Sequence, residues 1–286
     1  MTSRTASSLV ETAWLAEHID SPDIVMVDGS LHLPATGRNA RAEFAAGHIP
    51  GALFFDINEI SDKKSDVPHQ LPSAIQFASQ MKKLGIGDGM RVIAYDSEGI
   101  YSAARVWWMF RAMGHNDVVV LNGGLKKWQA EGRALADGPA DPRQPRHFTP
   151  RSNAALVRDK ADVLAAVAAA TPQILDARSP GRFSGREKEP RSGLRSGHIP
   201  GSLNVHYATL VNPDGTMKAP DAIRAALTTA GADVSRPAIA SCGSGVTACI
   251  VALALAEIGA PDTAIYDGSW SEWGMETAGT PVATTA

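Results

Sequence analysis

Residues 41–57, RAEFAAGHIPGALFFDI, return at residues 191–207 as RSGLRSGHIPGSLNVHY, with the pentapeptide GHIPG unchanged. His48 and His198 thus stand 150 residues apart. Upstream, IVMVDGS (24–30) answers to QILDARS (173–179); downstream, GHNDVVVLNGGLKKW (114–128) answers to GAPDTAIYDGSWSEW (259–273). Three matches in the same order mean two copies of one domain. Between them DGPADPRQPRHFTPR (137–151), rich in proline and charge, reads as an extended linker. The expected organisation is a first copy over 1–137, a linker over 138–151 and a second copy over 152–286.

Each copy alternates short apolar runs with helical patterns. In the second the runs are QILDAR, SLNVH, AIAS and TAIYDG, with ADVLAAVAAA and TACIVALALAEIG as helices among them. Apolar runs without strict polar alternation predict strands buried on both faces, and alternation with helices predicts an α/β fold. Each copy is expected to be a parallel sheet flanked by helices on both faces, with its ligand site beyond the C-terminal ends of the strands.

Bulk composition excludes more than it assigns. The net charge of −3 gives no reason to expect nucleic acid or an anionic membrane as partner. No apolar run approaches the roughly 18 residues of a membrane span. MTSRTASSLVETAWL has the Ser and Thr content of a transit-peptide fragment, but LVETAWLAEHI reads as an amphipathic helix, so the beginning is taken as a frayed terminus. The two cysteines, seven residues apart on one helical segment, make no disulfide framework; a reducing, cytoplasmic setting and a monomer are expected. No metal site is expected, because the repeated histidines lack a Cys or acid cluster at ligand spacing. GHIPG itself reads as a structural turn, with Pro50 fixing φ, Gly51 allowing the bend and the histidines satisfying local backbone groups.

In AIASCGSGVTACIVALALAEIG (238–259) a short apolar run ends at Cys242, passes through Gly-Ser-Gly and restarts as a helix. A free thiol is only about 3% thiolate at pH 7. Loop N–H groups curling toward the sulfur and the positive end of the next helix favour the anion, the helix end supplying about 0.3–2 kcal/mol. Gly243 and Gly245 suit the tight curvature, and the hydroxyls of Ser244 and Thr247 are further donors. Cys242 is therefore read as a nucleophile, whereas Cys249, inside the apolar helix, is read as core. Aligning VIAYDSEGIYSAA (92–104) with AIASCGSGVTACI (238–250) puts Asp96 opposite Cys242, with a first-copy loop one residue longer. A carboxylate cannot accept a sulfane sulfur, so the first copy is expected to be catalytically silent.

Tandem copies carrying DARS, GHIPG, CGSGVTA and YDGSWSEW resemble two-domain rhodanese-type sulfurtransferases, and the CGSGVT loop resembles the branch acting on 3-mercaptopyruvate. The resemblance spans nearly the whole chain outside the linker and the extreme N-terminus. It implies two tandem rhodanese-like domains. It also implies transfer of sulfur from a donor to Cys242 as a persulfide and on to a thiol or cyanide acceptor, a thioredoxin-like protein being one such thiol; no cofactor is implied. The arginines at the family's R-F-x-G and E-P-R positions, Arg182 and Arg191, would hold the donor's carboxylate with two charge-assisted bonds, while Arg186 between them is read as structural or solvated. The first copy is expected to have no equivalent of the inserted RFSGREKEPRSG. Gly243, Ser244, Gly245, Val246 and Thr247 would line the donor site, and Tyr101 and His69 match family positions beside it, His69 as a proton relay. Some members use a Cys–Ser–Asp arrangement whose acid position holds Asn58 here, so Ser244 would act alone or with His69.

The thiosulfate branch has basic residues after the cysteine, suiting a dianion. Gly243 and Ser244 are uncharged, which favours a monocarboxylate such as 3-mercaptopyruvate. Thiosulfate transfer and a non-catalytic persulfide carrier remain alternatives. A Cys-based phosphatase is disfavoured, because its C-x5-R motif would need Arg where Ala248 stands.

Overall fold

The computed structural model describes residues 7–285. The chain forms two compact units. The first comprises the chain up to Lys63, Leu71–Asn153 and Asn212–Met217; the second comprises Lys64–Gln70, Ala154–Val211 and the chain from Lys218.

The first unit holds β1 (Leu9–Val10), α1 (Thr12–His18), β2 (Ile24–Asp28), α2 (Ala40–Ala46), β3 (Leu53–Phe54), α3 (Ala74–Leu84), β4 (Arg91–Tyr95), α4 (Ala103–Ala112), β5 (Val118–Leu121) and α5 (Gly124–Ala130). The second holds β6 (Val157–Arg158), α6 (Lys160–Ala169), β7 (Gln173–Asp176), α7 (Pro180–Ser184), β8 (Leu203–Asn204), α8 (Pro220–Thr229), β9 (Ala238–Ser241), α9 (Ala248–Glu257), β10 (Thr263–Tyr266) and α10 (Ser269–Trp273). Both sheets are parallel and share one order, β1-β5-β4-β2-β3 and β6-β10-β9-β7-β8. The repeat in sequence is a repeat in topology. The edge strand β6 had no signature in the sequence because two residues are too few to show a period.

Successive strand residues point to opposite faces, so a strand buried throughout requires cover on both. In the first unit Ile24, Met26, Ile93, Tyr95, Val119 and Leu121 join Leu15 of α1, Phe44 of α2 and Trp128 of α5 in one core. On the other side Phe77 of α3, Phe110 of α4, Phe55 and Phe148 pack ring against ring. Residues 138–151 contain no helix or strand and lie in the first unit. Phe148, 3% exposed, anchors them there, a burial worth about 2–3 kcal/mol. In the second unit Ile174, Ile239 and Tyr266 pack against α6 and α10 through Val163, Trp270 and Trp273. The opposite face is covered by α9, whose residues Ala248–Leu255 are all buried.

GHIPG is built alike in both units. His48 Nδ1–H donates to Phe44 O at 2.8 Å and the imidazole stacks on that ring at 3.9 Å; His198 repeats this with Phe183 O at 2.8 Å and its ring at 3.9 Å. Ala52 N–H donates to Ile49 O and Ser202 N–H to Ile199 O, each 3.0 Å, with φ of 76° at Gly51 and 75° at Gly201. Proline followed by a positive-φ glycine is the type II turn, so both glycines are required.

Phe44 precedes its histidine by four residues and Phe183 by fifteen, yet Asp28 to His48 spans 20 positions and Asp176 to His198 spans 22. The expected insertion in the second copy is therefore corrected. The two copies carry a loop of similar length on opposite sides of the short helix, before α2 in one and after α7 in the other.

α1 covers Thr12–His18 of the helix expected from LVETAWLAEHI, but Leu9 and Val10 pair with β5 as strand β1 instead, a correction to that reading; the frayed terminus expected before it concerns residues 1–6, outside the described residues. Among the described residues no helix is long and apolar enough to cross a membrane.

Candidate active site

β9 is buried along its length and delivers Cys242, itself 2% exposed, to the C-terminal end of the second sheet. The backbone there is pinned by α10. Cys242 N–H donates to Ser269 Oγ at 3.2 Å, and Cys242 O accepts from Trp270 N–H at 2.9 Å. Gly243 O accepts from the N–H and the hydroxyl of Ser271, at 2.8 and 2.7 Å. Ser269 Oγ donates to Tyr266 O at 2.8 Å and holds a φ of 48°, a left-handed conformation uncommon outside glycine. Sequence reasoning missed Ser269 and Ser271. The signal available was the match of YDGSWSEW with LNGGLKKW, where Gly124, φ 52°, stands for Ser269.

In the first unit Asp96 occupies the place that Cys242 has in the second. Leu125 N–H donates to Asp96 O at 3.0 Å, as Trp270 does to Cys242 O. Asp96, 1% exposed, shows what this loop does to a negative side chain. Its Oδ1 accepts from Glu98 and Gly99 N–H at 2.9 and 3.0 Å, and its Oδ2 from Tyr101 and Ala103 N–H at 2.8 and 2.7 Å. Burial pushes this carboxyl up, and the four N–H bonds oppose the shift. The loop's curvature thus turns backbone donors inward on an anion.

In the second unit Gly245, φ 74°, makes the corresponding bend. Val246 is 5% exposed and Thr247 half-buried at the mouth of α9. Cys249 is fully buried, its thiol donating to Gly245 O at 3.2 Å, which fits a structural side chain. Ser244, 6% exposed, meets His69: Nδ1 lies 3.0 Å from Ser244 Oγ. His69 belongs to the second unit because Lys64–Gln70 does, and it has φ of 65°. Two predicted residues 175 positions apart are thereby joined.

Arg182 lies on α7, whose N-terminus Ser179 caps by accepting from Arg182 N–H at 3.3 Å. Its Nη2 would stand 2.9 Å from a Cβ built on Gly243, so the guanidinium crosses the loop beside Cys242. Glu189 holds it there, accepting from Nε at 3.2 Å and from Nη2 at 2.5 Å. The same carboxylate accepts from Arg178 Nη1 at 2.7 Å. Arg178 in turn donates to Asp176 at 2.6 Å and to Gly197 O at 2.8 Å, and lies 4.2 Å from the Trp270 ring. Burial opposes the Arg178 charge, but Asp176 and Glu189 more than offset it and leave the guanidinium raised above its ordinary value. DARS is thus structural through Asp176, Arg178 and Ser179. Glu189 was missed because a single carboxylate in a charged loop looks solvated. Arg191 is half-buried in that loop and Arg186 is exposed. Tyr101, half-buried, and Asn58, exposed, lie in the first unit. Asn58 N–H donates to Asp56 Oδ1 at 3.1 Å.

The chain matches the rhodanese-like domain twice, over residues 11–131 and 159–276. It is 43% identical over 274 residues to human 3-mercaptopyruvate sulfurtransferase, covering 94% of this chain and 92% of that protein. It is also 43% identical over 273 residues to rat thiosulfate sulfurtransferase, covering 93% and 91%. The crystal structure of SseA from Escherichia coli, a 3-mercaptopyruvate sulfotransferase, superposes with a TM-score of 0.85 at 42% identity, covering 93% of this chain and all of that one. Both copies of the repeat and nearly the full length are accounted for, and the chain belongs to the family of rhodanese-like domain proteins.

Proposed function

We propose that the protein is a sulfurtransferase that takes sulfur from 3-mercaptopyruvate onto Cys242, releases pyruvate, and passes the sulfur to a thiol or cyanide. The Cys242 thiolate attacks the donor's sulfur. The carbon–sulfur bond breaks with its electron pair moving to carbon, giving the enolate of pyruvate and a Cys242 persulfide. Ser244, hydrogen-bonded to His69, supplies the enolate proton, and His69 replaces it from solvent. An acceptor thiolate then attacks the outer sulfur and regenerates the Cys242 thiolate. A dithiol of the thioredoxin kind completes the cycle by closing its own disulfide and expelling hydrosulfide. The first copy, with Asp96 in the nucleophile's place, is silent.

One observation carries the donor assignment: Arg182 crosses Gly243 beside Cys242, while the loop Gly243–Thr247 has no charged side chain. A planar guanidinium beside a neutral loop suits a carboxylate whose sulfur sits apart from its charge. Arg191 is assigned to the same carboxylate, and Val246 and Thr247 to the donor site.

The test compares pyruvate release from 3-mercaptopyruvate, with a dithiol acceptor, to thiocyanate formation from thiosulfate and cyanide. Mercaptopyruvate should be preferred at least tenfold in kcat/KM, and Cys242→Ser should lose at least 1,000-fold on both, the scale for removing a nucleophile. Preference for thiosulfate would transfer the assignment to the rat relative's activity. Turnover of neither donor would leave a persulfide carrier.

A further inference from the structure

Four charged groups form one chain from the sheet to the Cys242 loop. Asp176 binds Arg178, Arg178 binds Glu189, and Glu189 binds Arg182. The side chains of Asp176, Arg178 and Glu189 are 3%, 0% and 1% exposed, and that of Arg182 is 21% exposed. Arg178 gives Nε, Nη1 and Nη2 to Asp176, Glu189 and Gly197 O, lies against the Trp270 ring and is fully buried, so it is out of a ligand's reach. Arg182 spends Nε and one N–H of Nη2 on Glu189, which leaves N–H groups of Nη1 and Nη2 for a ligand. Two consequences follow from the carboxylate between them. It holds Arg182 with its Nη2 against Gly243. It also cancels the charge of Arg182, since the four groups sum to zero.

We propose that Glu189 determines donor specificity: by orienting Arg182 and neutralising it, Glu189 makes the site accept a monoanionic donor and reject a dianionic one. This rests on the reading that Arg182 receives the donor's anionic end. A compensated guanidinium still offers directed N–H bonds, which satisfy one carboxylate. It offers little net field, so a second negative charge on the donor loses its water without an attractive potential in return. One unit of charge at roughly 10 Å and an effective dielectric constant of about 20 corresponds to a discrimination on the order of tenfold.

The experiment measures kcat/KM for 3-mercaptopyruvate and thiosulfate in wild type, Glu189→Gln and Glu189→Asp, with thermal melts to establish folding. Glu189→Gln keeps the shape, leaves one positive charge uncompensated and is expected to raise the thiosulfate-to-mercaptopyruvate ratio about tenfold. Glu189→Asp keeps the charge but is one methylene short of spanning both guanidiniums. It should raise KM for mercaptopyruvate at least fivefold and leave the ratio within twofold of wild type. An unchanged ratio in Glu189→Gln overturns the inference. Should that variant fail to fold, an unchanged KM in Glu189→Asp overturns it instead. If no protein turns over either donor, the functional reading fails on its own, and Glu189 is judged by binding. In a Cys242→Ser background the affinity for sulfate relative to pyruvate should still rise about tenfold with Glu189→Gln, and no rise sinks the proposal.

Discussion

Gly243 has a neighbour that leaves no room for a side chain, because a Cβ there would meet Arg182 Nη2 at 2.9 Å. The obstacle is the far end of a flexible side chain, so Gly243→Ala should fold with Tm within about 2 °C of wild type. Shifting the guanidinium by about 1 Å should lower kcat/KM for mercaptopyruvate by roughly 100-fold. A normal rate in that variant would remove Arg182 from the donor site. Asp28 illustrates the opposite fate of a buried charge. It occupies the place of Asp176, but Ser30 stands where Arg178 stands, so no cation answers it: Ser30 N–H donates to Asp28 Oδ1 at 2.9 Å as Arg178 N–H does to Asp176 Oδ1. Burial pushes the Asp28 carboxyl up from 3.8 to about 6. An acid raised on folding contributes its stability below the unfolded pKa and loses it as pH climbs through the folded value. Asp28→Asn should therefore stabilise the protein by up to about 3 kcal/mol at pH 8 and by close to nothing at pH 3.5. Equal Tm shifts at both values would contradict this.

At the scale of elements, the Cys242 loop is held by the short helix after β10. Ser269 Oγ is the acceptor for Cys242 N–H at 3.2 Å, while its φ of 48° suits glycine. Ser269→Ala loses the hydroxyl and keeps the unfavourable φ, so it should destabilise by about 2–3 kcal/mol by leaving Cys242 N–H and Tyr266 O unpaired in the interior, with no relief of the strain already present. Ser269→Gly loses the same bond but relieves the φ, and should be about 1 kcal/mol more stable than Ser269→Ala. Urea unfolding of the two variants measures the difference, and the reverse order would refute the strain argument. The first copy has glycine at the matching position, Gly124, whose φ is 52°.

Over the whole molecule, each unit contains a segment from the other half of the chain. Asn212–Met217 belongs to the first unit, where Met217 N–H donates to Asn122 Oδ1 at 2.9 Å and Lys126 Nζ to Pro213 O at 2.9 Å. A Cβ on Gly215, φ 87°, would stand 2.8 Å from Glu98 O and 2.9 Å from Gly99 Cα. Gly215→Ala should accordingly cost about 2 kcal/mol, felt in the first unit although the residue lies in the second repeat. Hydrogen exchange of β4 and α4 amides reads this directly, and loss of protection confined to α8 and α9 would be the wrong outcome. The sequence by itself determined the duplication and the parallel α/β class, and it singled out Cys242 and Asp96 as matching positions, because each is written in local pattern: a repeated pentapeptide, buried apolar runs, and a cysteine or aspartate at a strand-to-helix turn. Only the tertiary structure decided that His69 meets Ser244, that Glu189 joins Arg178 to Arg182, that Ser269 holds Cys242, and that the loop follows one helix but precedes its counterpart. Those arrangements depend on hydrogen-bond geometry between residues distant in the chain, and a linear sequence carries no record of which distant polar groups are buried together.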